Sequence, residues 1–267
     1  MLLFLRVVFS LVVRLFVIKK IILYVLVFFI SLLLSLLILM PANILWEKIL
    51  SPQLNVRQVG VDVQKVIGTI WNGQALIAYK DLSGIVTWKV EASELLMLSL
   101  PLKLKLDSQI GSLEGRVDIS FESIDADLKK GQISLGPLSP FFRTERITLD
   151  GELFLNNLKV SVQNKQIKSA SGIATWSGGE IAYPAGREVH QRNLPSFKAV
   201  LDTKSDGVVH LSIRDSQATF DVIDADLAED GTAMLRITRR LLDLSEEPWS
   251  LNSKEQDIVF KVKKMLY

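Results

Sequence analysis

Two pairs of aspartates are the residues of this 267-residue chain whose spacing best suits metal binding or catalysis. Asp125 and Asp127 lie in the pentapeptide IDADL. A second copy of the same pentapeptide carries Asp224 and Asp226. Residues i and i+2 of a strand share one face, so each pair could bind Ca²⁺ or act as acid and base. No Gly-rich EF-hand spacing accompanies either pair, and we interpret both as the solvated faces of strands.

Histidine and serine chemistry is poorly supported by the sequence. The chain has two histidines, His190 and His210, which are too few for a His-based metal cluster, although a non-sequential Ser/His/Asp site could use either. Gly-x-Ser-x-Gly, P-loop and Gly-rich dinucleotide motifs are absent from the sequence, and there is no cysteine. We therefore predict that the protein is not an enzyme and has no catalytic, metal-binding or cofactor-binding residues.

The distribution of charge argues against a nucleic-acid partner. The net charge is +2, but four of the 31 Lys and Arg residues lie in the first 20 positions. The rest of the chain then carries 27 basic residues against 29 Asp and Glu. No basic motif stands out from this balance, so we predict no nucleic-acid binding.

The element that must position everything else is an apolar stretch near the N-terminus. Residues 21–40 read IILYVLVFFISLLLSLLILM, without charge, Gly or Pro. A helix of this length is roughly 30 Å long, which matches the hydrocarbon thickness of a bilayer. We predict a single transmembrane helix over 21–40.

The flanks of this stretch predict its orientation. Arg6, Arg14, Lys19 and Lys20 precede it without any acid, and cationic flanks stay on the cytoplasmic side. The sequence after the stretch lacks an A-x-A-like cleavage pattern, which indicates an uncleaved signal-anchor. Residues 1–20 form a basic apolar segment that either lies along the inner membrane surface or extends the helix into the cytoplasm.

Beyond a linker at 41–54, the pattern predicts an antiparallel β domain over 55–267. Apolar and polar residues alternate in short runs such as Leu100–Leu106 and Val209–Ile213, separated by turn-forming residues. A curved sheet, a β-sandwich and a groove all fit this pattern. The tail at 255–266 reads as a strand or an amphipathic helix, and its β-branched residues favour the strand. Short helical turns are expected at 92–98 and 137–142.

Two related halves make up the predicted β domain, at about 55–158 and 159–267. Trp71, an Ile-Ala-Tyr tripeptide and IDADL follow one another in the first half, and the same series starting at Trp176 appears in the second. The offsets between equivalent motifs are 105, 104 and 99 residues. We interpret both tryptophans, each followed by x-Gly, as core anchors of equivalent hairpins.

The chain resembles the type II secretion system protein N family, also called general secretion pathway protein N. The N-terminal anchor, the hexapeptide Gly68–Gly73 (GTIWNG) and the run Gly84–Val90 (GIVTWKV) followed by LPLKLKL carry this resemblance. Leu149–Leu153 (LDGEL) and the second Trp-Ser-Gly at Trp176 also fit. Arg187–Pro195 and the charged tail depart from the family pattern.

The resemblance implies a function in Gram-negative bacteria. It implies an accessory component of the type II protein secretion machine, anchored by one pass in the inner membrane, with a periplasmic β domain that binds other secretion components. It implies no catalytic residues. An alternative from the alternating strands is a periplasmic lipid-binding or lipid-transfer groove of the AsmA-like or LPS-bridge kind, in which Leu100–Leu106 would contact acyl chains.

Overall fold

The fold is an open antiparallel β-sheet of thirteen strands with a second sheet of three strands beside it. The computed structural model describes residues 20, 23–51, 60–91, 99–142, 146–164, 166–185, 188–250 and 252–265. The short helix predicted at 92–98 lies outside the described residues. The predominantly antiparallel β architecture is confirmed.

The N-terminal part of the described chain is helical. A helix, α1, covers 23–38, and Ala42–Leu45 (α2) leads directly into one π-helical turn at Trp46–Leu50. Most of the predicted linker is thus helical. Within the part of the chain that the structure describes, no helix has both the length and the apolarity needed to cross a membrane. The transmembrane helix over 21–40 stays a prediction.

The described strands run in chain order as follows: β1 Val61–Gly68, β2 Asn72–Tyr79, β3 Leu82–Val90, β4 Leu100–Ser108, β5 Gly111–Ile119, β6 Ser123–Ser134, β7 Thr148–Leu149, β8 Glu152–Gln163, β9 Gln166–Trp176, β10 Gly179–Ala185, β11 Glu188–Leu194, β12 Phe197–Thr203, β13 Val209–Asp215, β14 Ile223–Leu227, β15 Thr232–Thr238 and β16 Ile258–Met265. A 3₁₀ helix at Gly136–Phe142 contains the turn predicted at 137–142. A short helix, α3, covers Arg239–Leu244. The strand prediction for the tail is confirmed by β16.

Period-two alternation gives the large sheet one apolar and one polar face. The strands are ordered β1-β2-β3-β4-β5-β6-β8-β9-β12-β13-β14-β15-β16, and their registers align side chains in rows. One row on the apolar face consists of Val66, Ala75, Val86, Leu106, Leu113, Gly131, Leu155, Ala174, Ala199, Ile213, Ile223, Ile237 and Phe260. The adjacent row, on the polar face, includes Lys105, Glu114, Lys130, Asp224, Arg236 and Lys261. A one-residue slip would expose every apolar side chain, so this pattern fixes the register.

The small sheet has the order β11-β10-β7, and two of its strands contact the C-terminal half of the chain. Tyr183 and Arg192, on β10 and β11, bond to the segment that follows α3. The most enclosed positions concentrate in this half. They include Ala170, Ala182, Leu194, Val209, Asp215, Val222, Thr238 and Ser245.

The repeated sequence motifs fall on equivalent strands. In the first half they lie at the β1–β2 turn, on β2 and on β6, and in the second half at the end of β9, on β10 and on β14. Each series therefore spans six strands. The series differ because β10 and β11 leave the large sheet, so that β9 pairs directly with β12. The boundary predicted at 158/159 falls within β8, and the division into two halves stays a prediction.

Candidate functional site

The hexapeptide Gly68–Gly73 joins the sheet to the N-terminal helices. Thr69 Oγ1 accepts hydrogen bonds from the backbone N–H groups of Trp71 and Asn72, both at 3.3 Å. The indole N–H of Trp71 donates to the carbonyl oxygen of Leu37 at 3.0 Å, near the end of α1. A backbone bond from Ile70 N to Met40 O, 3.1 Å long, lies beside it. The hexapeptide is thus the contact through which α1 and the sheet hold each other.

The prediction that both tryptophans are core anchors is wrong. Neither Trp71 nor Trp176 is fully buried. Trp176 stacks on Phe197 with ring centroids 5.8 Å apart, and its indole N–H donates to Asp150 O at 2.8 Å. Each half-buried indole therefore uses its N–H to bind the backbone of a neighbouring segment.

A groove lies on the apolar face of β3 to β6. Its volume is about 270 Å³, and its lining is almost entirely apolar. Its lining side chains on this face are Val86, Leu104, Leu106, Leu113, Val117, Ala126 and Leu128. Four neighbouring strands thus contribute to one cavity, and the small residues Gly115 and Ala126 lie in its lining. Leu104 and Leu106 belong to the run predicted to contact either protein or acyl chains.

Aromatic side chains lie beyond the groove in both directions along the strands. At one end, the 3₁₀ helix that follows β6 reaches across to β2, where Phe141 stacks on Tyr79 with centroids 5.2 Å apart. The ammonium group of Lys80 lies 4.5 Å from the Phe141 ring centroid and adds a cation–π contact. At the other end, Trp88 lies opposite Gly73 of the hexapeptide. Along the strands, the groove therefore lies between this aromatic stack and the junction with α1.

One of the aspartate pairs meets a histidine on the polar face. His210, Asp224 and Asp226 each place one potential ligand atom within 4.8 Å of the others. Arg236 forms ion pairs with both carboxylates, and Lys204 Nζ lies 2.9 Å from Asp226 Oδ1. Burial raises the pKa of Asp226, but hydrogen bonds from Lys204 and His210 and the charge of Arg236 outweigh it and lower the pKa. The protein's own cations thus occupy the place that a metal ion would need.

The other aspartate pair is simpler. Asp125 is exposed and accepts a hydrogen bond from Ser123 Oγ at 2.9 Å, and Asp127 lies 3.9 Å from Lys159 Nζ. Both lie on the polar face of β6, as predicted for a solvated face. The two pairs thus occupy equivalent strands but have different partners.

His190 contributes to the attachment of the small sheet. Its Nδ1 lies 2.6 Å from Glu247 Oε1, which also accepts the Tyr183 hydroxyl at 2.6 Å. Burial, followed by the Glu247 carboxylate, raises the pKa of Tyr183 to about 12. Hydrogen bonds from His190 and Tyr183 lower the pKa of Glu247. His190 and His210 lie in different sheets and each contacts a carboxylate, so the structure does not bring them together.

A buried ion pair was missed by the sequence reasoning. Asp215, whose side chain is 1% exposed, pairs with Arg240 of α3 at 2.9 Å. It also accepts the backbone N–H groups of Gln217 and Ala218. Arg240 follows Asp215 by 25 residues in the chain, and no local sequence pattern predicts a pairing over that distance.

The comparisons with known proteins point to one family. Residues 59–251 match the family model of the type II secretion system (T2SS), protein N. No curated protein and no solved structure matches the chain. The match begins just before β1 and includes the hexapeptide, the groove and both aspartate pairs. It covers well over half of the sequence, and the chain therefore belongs to the type II secretion system protein N family.

Proposed function

We propose that this protein is an accessory component of the type II secretion machine, anchored in the inner membrane, whose β domain binds other components in the periplasm. The family match over residues 59–251 carries this proposal. A broad sheet suits a binding role, because it has a charged polar face and an edge strand, β16, that pairs with β15 alone among the described residues.

The apolar helix supports the membrane anchor. Large apolar side chains between residues 23 and 39 are 42–69% exposed, and they fill this stretch except at Ser31 and Ser35, so that α1 is apolar nearly all round. Such a surface is unfavourable in water and favourable in lipid. The bonds from Trp71 to Leu37 and from Ile70 to Met40 would hold the β domain close to the membrane surface.

The orientation follows from the charges before this helix. Four cations and no acid lie within the first 20 residues, which supports a cytoplasmic N-terminus and a periplasmic β domain. The arrangement of the polar groups supports binding and not catalysis. Each histidine has a carboxylate at Nδ1, and neither lies in the groove described above.

Photo-crosslinking in intact cells tests this function. A photoreactive residue replaces Lys103 or Lys159, whose side chains on the polar face are 54% and 62% exposed. We expect covalent capture of another secretion component, and no such product in cells that lack the rest of the machine. The same residue in place of Tyr24, in α1, serves as a control for non-specific capture. Failure to capture any secretion component from the β domain would contradict the proposal.

A topology test complements the crosslinking. A tag fused after Tyr267 should be cleaved when protease is added to cells with a permeabilised outer membrane. A tag that is protected until the inner membrane is lysed would place the C-terminus in the cytoplasm. That outcome would contradict the proposed orientation.

The groove favours a second candidate function, the binding of lipid acyl chains. Its walls are apolar, and the end of β3 at which Trp88 pairs with the groove residue Leu104 lies next to the hexapeptide that contacts α1. A chain leaving the membrane surface would meet this end first. The stacked rings of Phe141 and Tyr79 lie toward the other end of these strands.

Labelling with a photoactivatable palmitate distinguishes the two functions. We expect the full-length protein to be labelled on β4 to β6, as mapped by mass spectrometry. Ala126→Phe, which fills the groove, should reduce this labelling several-fold, whereas Ile173→Phe, on the opposite face and 39% exposed, should not. Equal labelling of both variants, or labelling confined to residues 1–51, would exclude the groove as an acyl-chain site.

A further inference from the structure

The two edges of the large sheet differ in how they are protected. An edge strand presents unpaired N–H and C=O groups that can pair with another chain. The edge formed by β1 has a bulge between Val63 and Lys65, and α2 packs against it. The bridge between Pro41 and Thr69 lies at its end. The bulge and α2 therefore both hinder the pairing of a further strand with β1.

The opposite edge, β16, is more regular than β1. The Trp249 ring lies against Phe260 there, with ring centroids 5.6 Å apart. The register of β16 with β15 is regular from Phe260 to Met265, and the only irregularity lies at its beginning. Among the described residues, β16 pairs with β15 alone. Phe260 and Val262 are 46% and 54% exposed on the apolar face, and Met265 is 62% exposed. The edge thus offers both free backbone groups and apolar side-chain surface.

The charge of β16 is of one sign. Lys261, Lys263 and Lys264 lie in an eight-residue strand that contains no acid. None of the three forms an ion pair within 4.0 Å with a described residue. Lys261 also lies directly opposite Arg236, whose charge is already balanced by two aspartates. The strand itself carries three positive charges and no negative one, so β16 gives this edge an excess of positive charge.

We propose that β16 accepts an extended, acidic segment of a partner protein as a fourteenth strand of the large sheet. This inference rests on the proposed function, because the partner would be another secretion component. The incoming strand would form backbone hydrogen bonds with β16. Its apolar side chains would continue the apolar face beside Phe260 and Val262, and its acidic side chains would lie beside Lys261 and Lys263.

A second copy of this chain fits the edge less well. Pairing of β16 with another β16 would bring two sets of lysines together, and like charges on adjacent strands repel. Pairing of β16 with β1 of another copy would meet the bulge and α2. Lysines on edges also discourage such self-association, while leaving an acidic partner unhindered.

Peptide binding to the full-length protein in detergent is the first test. The probe is a fluorescent ten-residue peptide of alternating Glu and Val. We expect the Lys261→Glu/Lys263→Glu variant to bind this Glu–Val peptide about tenfold more weakly than the wild type does. The same variant should bind a Lys–Val peptide better than the wild type does. The second result also shows that the variant is folded.

Two matched controls sharpen this test. Lys129→Glu/Lys130→Glu makes the same charge change on exposed positions of β6, an interior strand, and should leave binding unchanged. A Glu–Val peptide with N-methyl groups on alternate residues should not bind, because it cannot complete the backbone ladder. Equal binding of the methylated peptide, or equal weakening by the β6 variant, would overturn the proposal.

Crosslinking in intact cells is the second test. A photoreactive residue at Lys264 should capture an acidic, extended segment of a secretion component, identified by mass spectrometry of the joined peptides. Capture of a second copy of this chain would overturn the proposal. Capture from Lys103 or Lys159 but not from Lys264 would support the proposed function and would reject β16 as the binding edge. Capture from none of these positions would reject the proposed function itself.

Discussion

Replacement of Asp215 by Ala is expected to lower the free energy of unfolding by about 3–5 kcal/mol. The carboxylate is almost fully buried and accepts hydrogen bonds from Arg240 Nε and Nη2, at 3.0 and 2.9 Å. It also accepts two backbone N–H groups, from Gln217 and Ala218. The substitution removes this shared acceptor, and Arg240 then keeps Gln217 Oε1 at 3.0 Å and the exposed Glu255 at 3.7 Å as partners. The largest share of the cost comes from the guanidinium of Arg240, which is only 15% exposed.

Chemical denaturation followed by circular dichroism measures this effect. Asp221→Ala is the matched control, because its ion pair with Arg214 is exposed on the arginine side and should contribute less than about 1 kcal/mol. If Asp215→Ala destabilised the protein no more than Asp221→Ala does, the buried pair would not be the main attachment of α3.

Acid provides an independent check on Asp215. Burial raises the pKa of its carboxyl, but the Ala218 N–H, Arg240 and the Gln217 N–H outweigh burial and lower the pKa. A lowered pKa in the folded state means that ionised Asp215 stabilises the fold above the unfolded pKa of about 4. This stabilisation is lost as the pH falls through the folded pKa. The stability difference between the wild type and Asp215→Asn should therefore shrink in acid.

The strands and their faces could be predicted from the sequence because alternation is a local property. Leu100–Leu106 alternates with polar residues and forms β4, and the tail at Ile258–Met265 forms β16. Side-chain direction in a strand repeats every two residues whatever the partner strand is. Local alternation is therefore enough to predict which face of these strands is apolar.

The choice of partner strands is not local, and the sequence did not predict it. The Ile-Ala-Tyr tripeptide is identical in both halves, yet Tyr79 lies on β2 of the large sheet and Tyr183 lies on β10 of the small one. Tyr183 is bonded to Glu247, 64 residues further along the chain. Tyr79 instead stacks on Phe141. These distant contacts accompany the departure of β10 and β11 from the large sheet.

The role of Trp71 could not be predicted from the local sequence either. A Trp followed by x-Gly suggests a residue buried beside a turn, and the turn is present. The indole nevertheless contacts Leu37, 34 residues earlier, across the junction with α1. The same limit applies to His210 and Asp226, which lie 16 residues apart in the chain. Only the register between β13 and β14, which places His210 opposite Asp226, brings them together.

The second large effect is expected for Gly73→Ala in the hexapeptide. A Cβ atom at this position would lie 2.4 Å from Cζ2 of Trp88 and 2.5 Å from the carbonyl oxygen of Ile67. Neither contact is sterically possible, so the Trp88 ring and the β1–β2 pairing must both shift. We expect a loss of about 1–3 kcal/mol in the free energy of unfolding, as is typical of an overpacked site. Denaturation followed by tryptophan fluorescence measures it.

Gly136→Ala is the matched control for this substitution. Its Cβ would meet a flexible side-chain oxygen of Asp150 at 3.0 Å and no backbone atom within 4 Å outside its immediate neighbours. The change should therefore alter stability by less than about 0.5 kcal/mol. Similar effects of the two substitutions would show that close packing under Trp88 is not what requires a glycine at position 73.

A double substitution identifies the cause of the Gly73 effect. If the added methyl group destabilises the protein by contact with the indole, a smaller side chain at Trp88 should relieve it. Gly73→Ala/Trp88→Leu should then be more stable than the sum of the single effects predicts, by more than about 0.5 kcal/mol. Additive effects would instead assign the cost to the Ile67 carbonyl, that is, to the approach of β1 and β2. Either outcome identifies the contact that requires a glycine at position 73. Gly73 pairs with Gly68 at the point where the sheet meets α1.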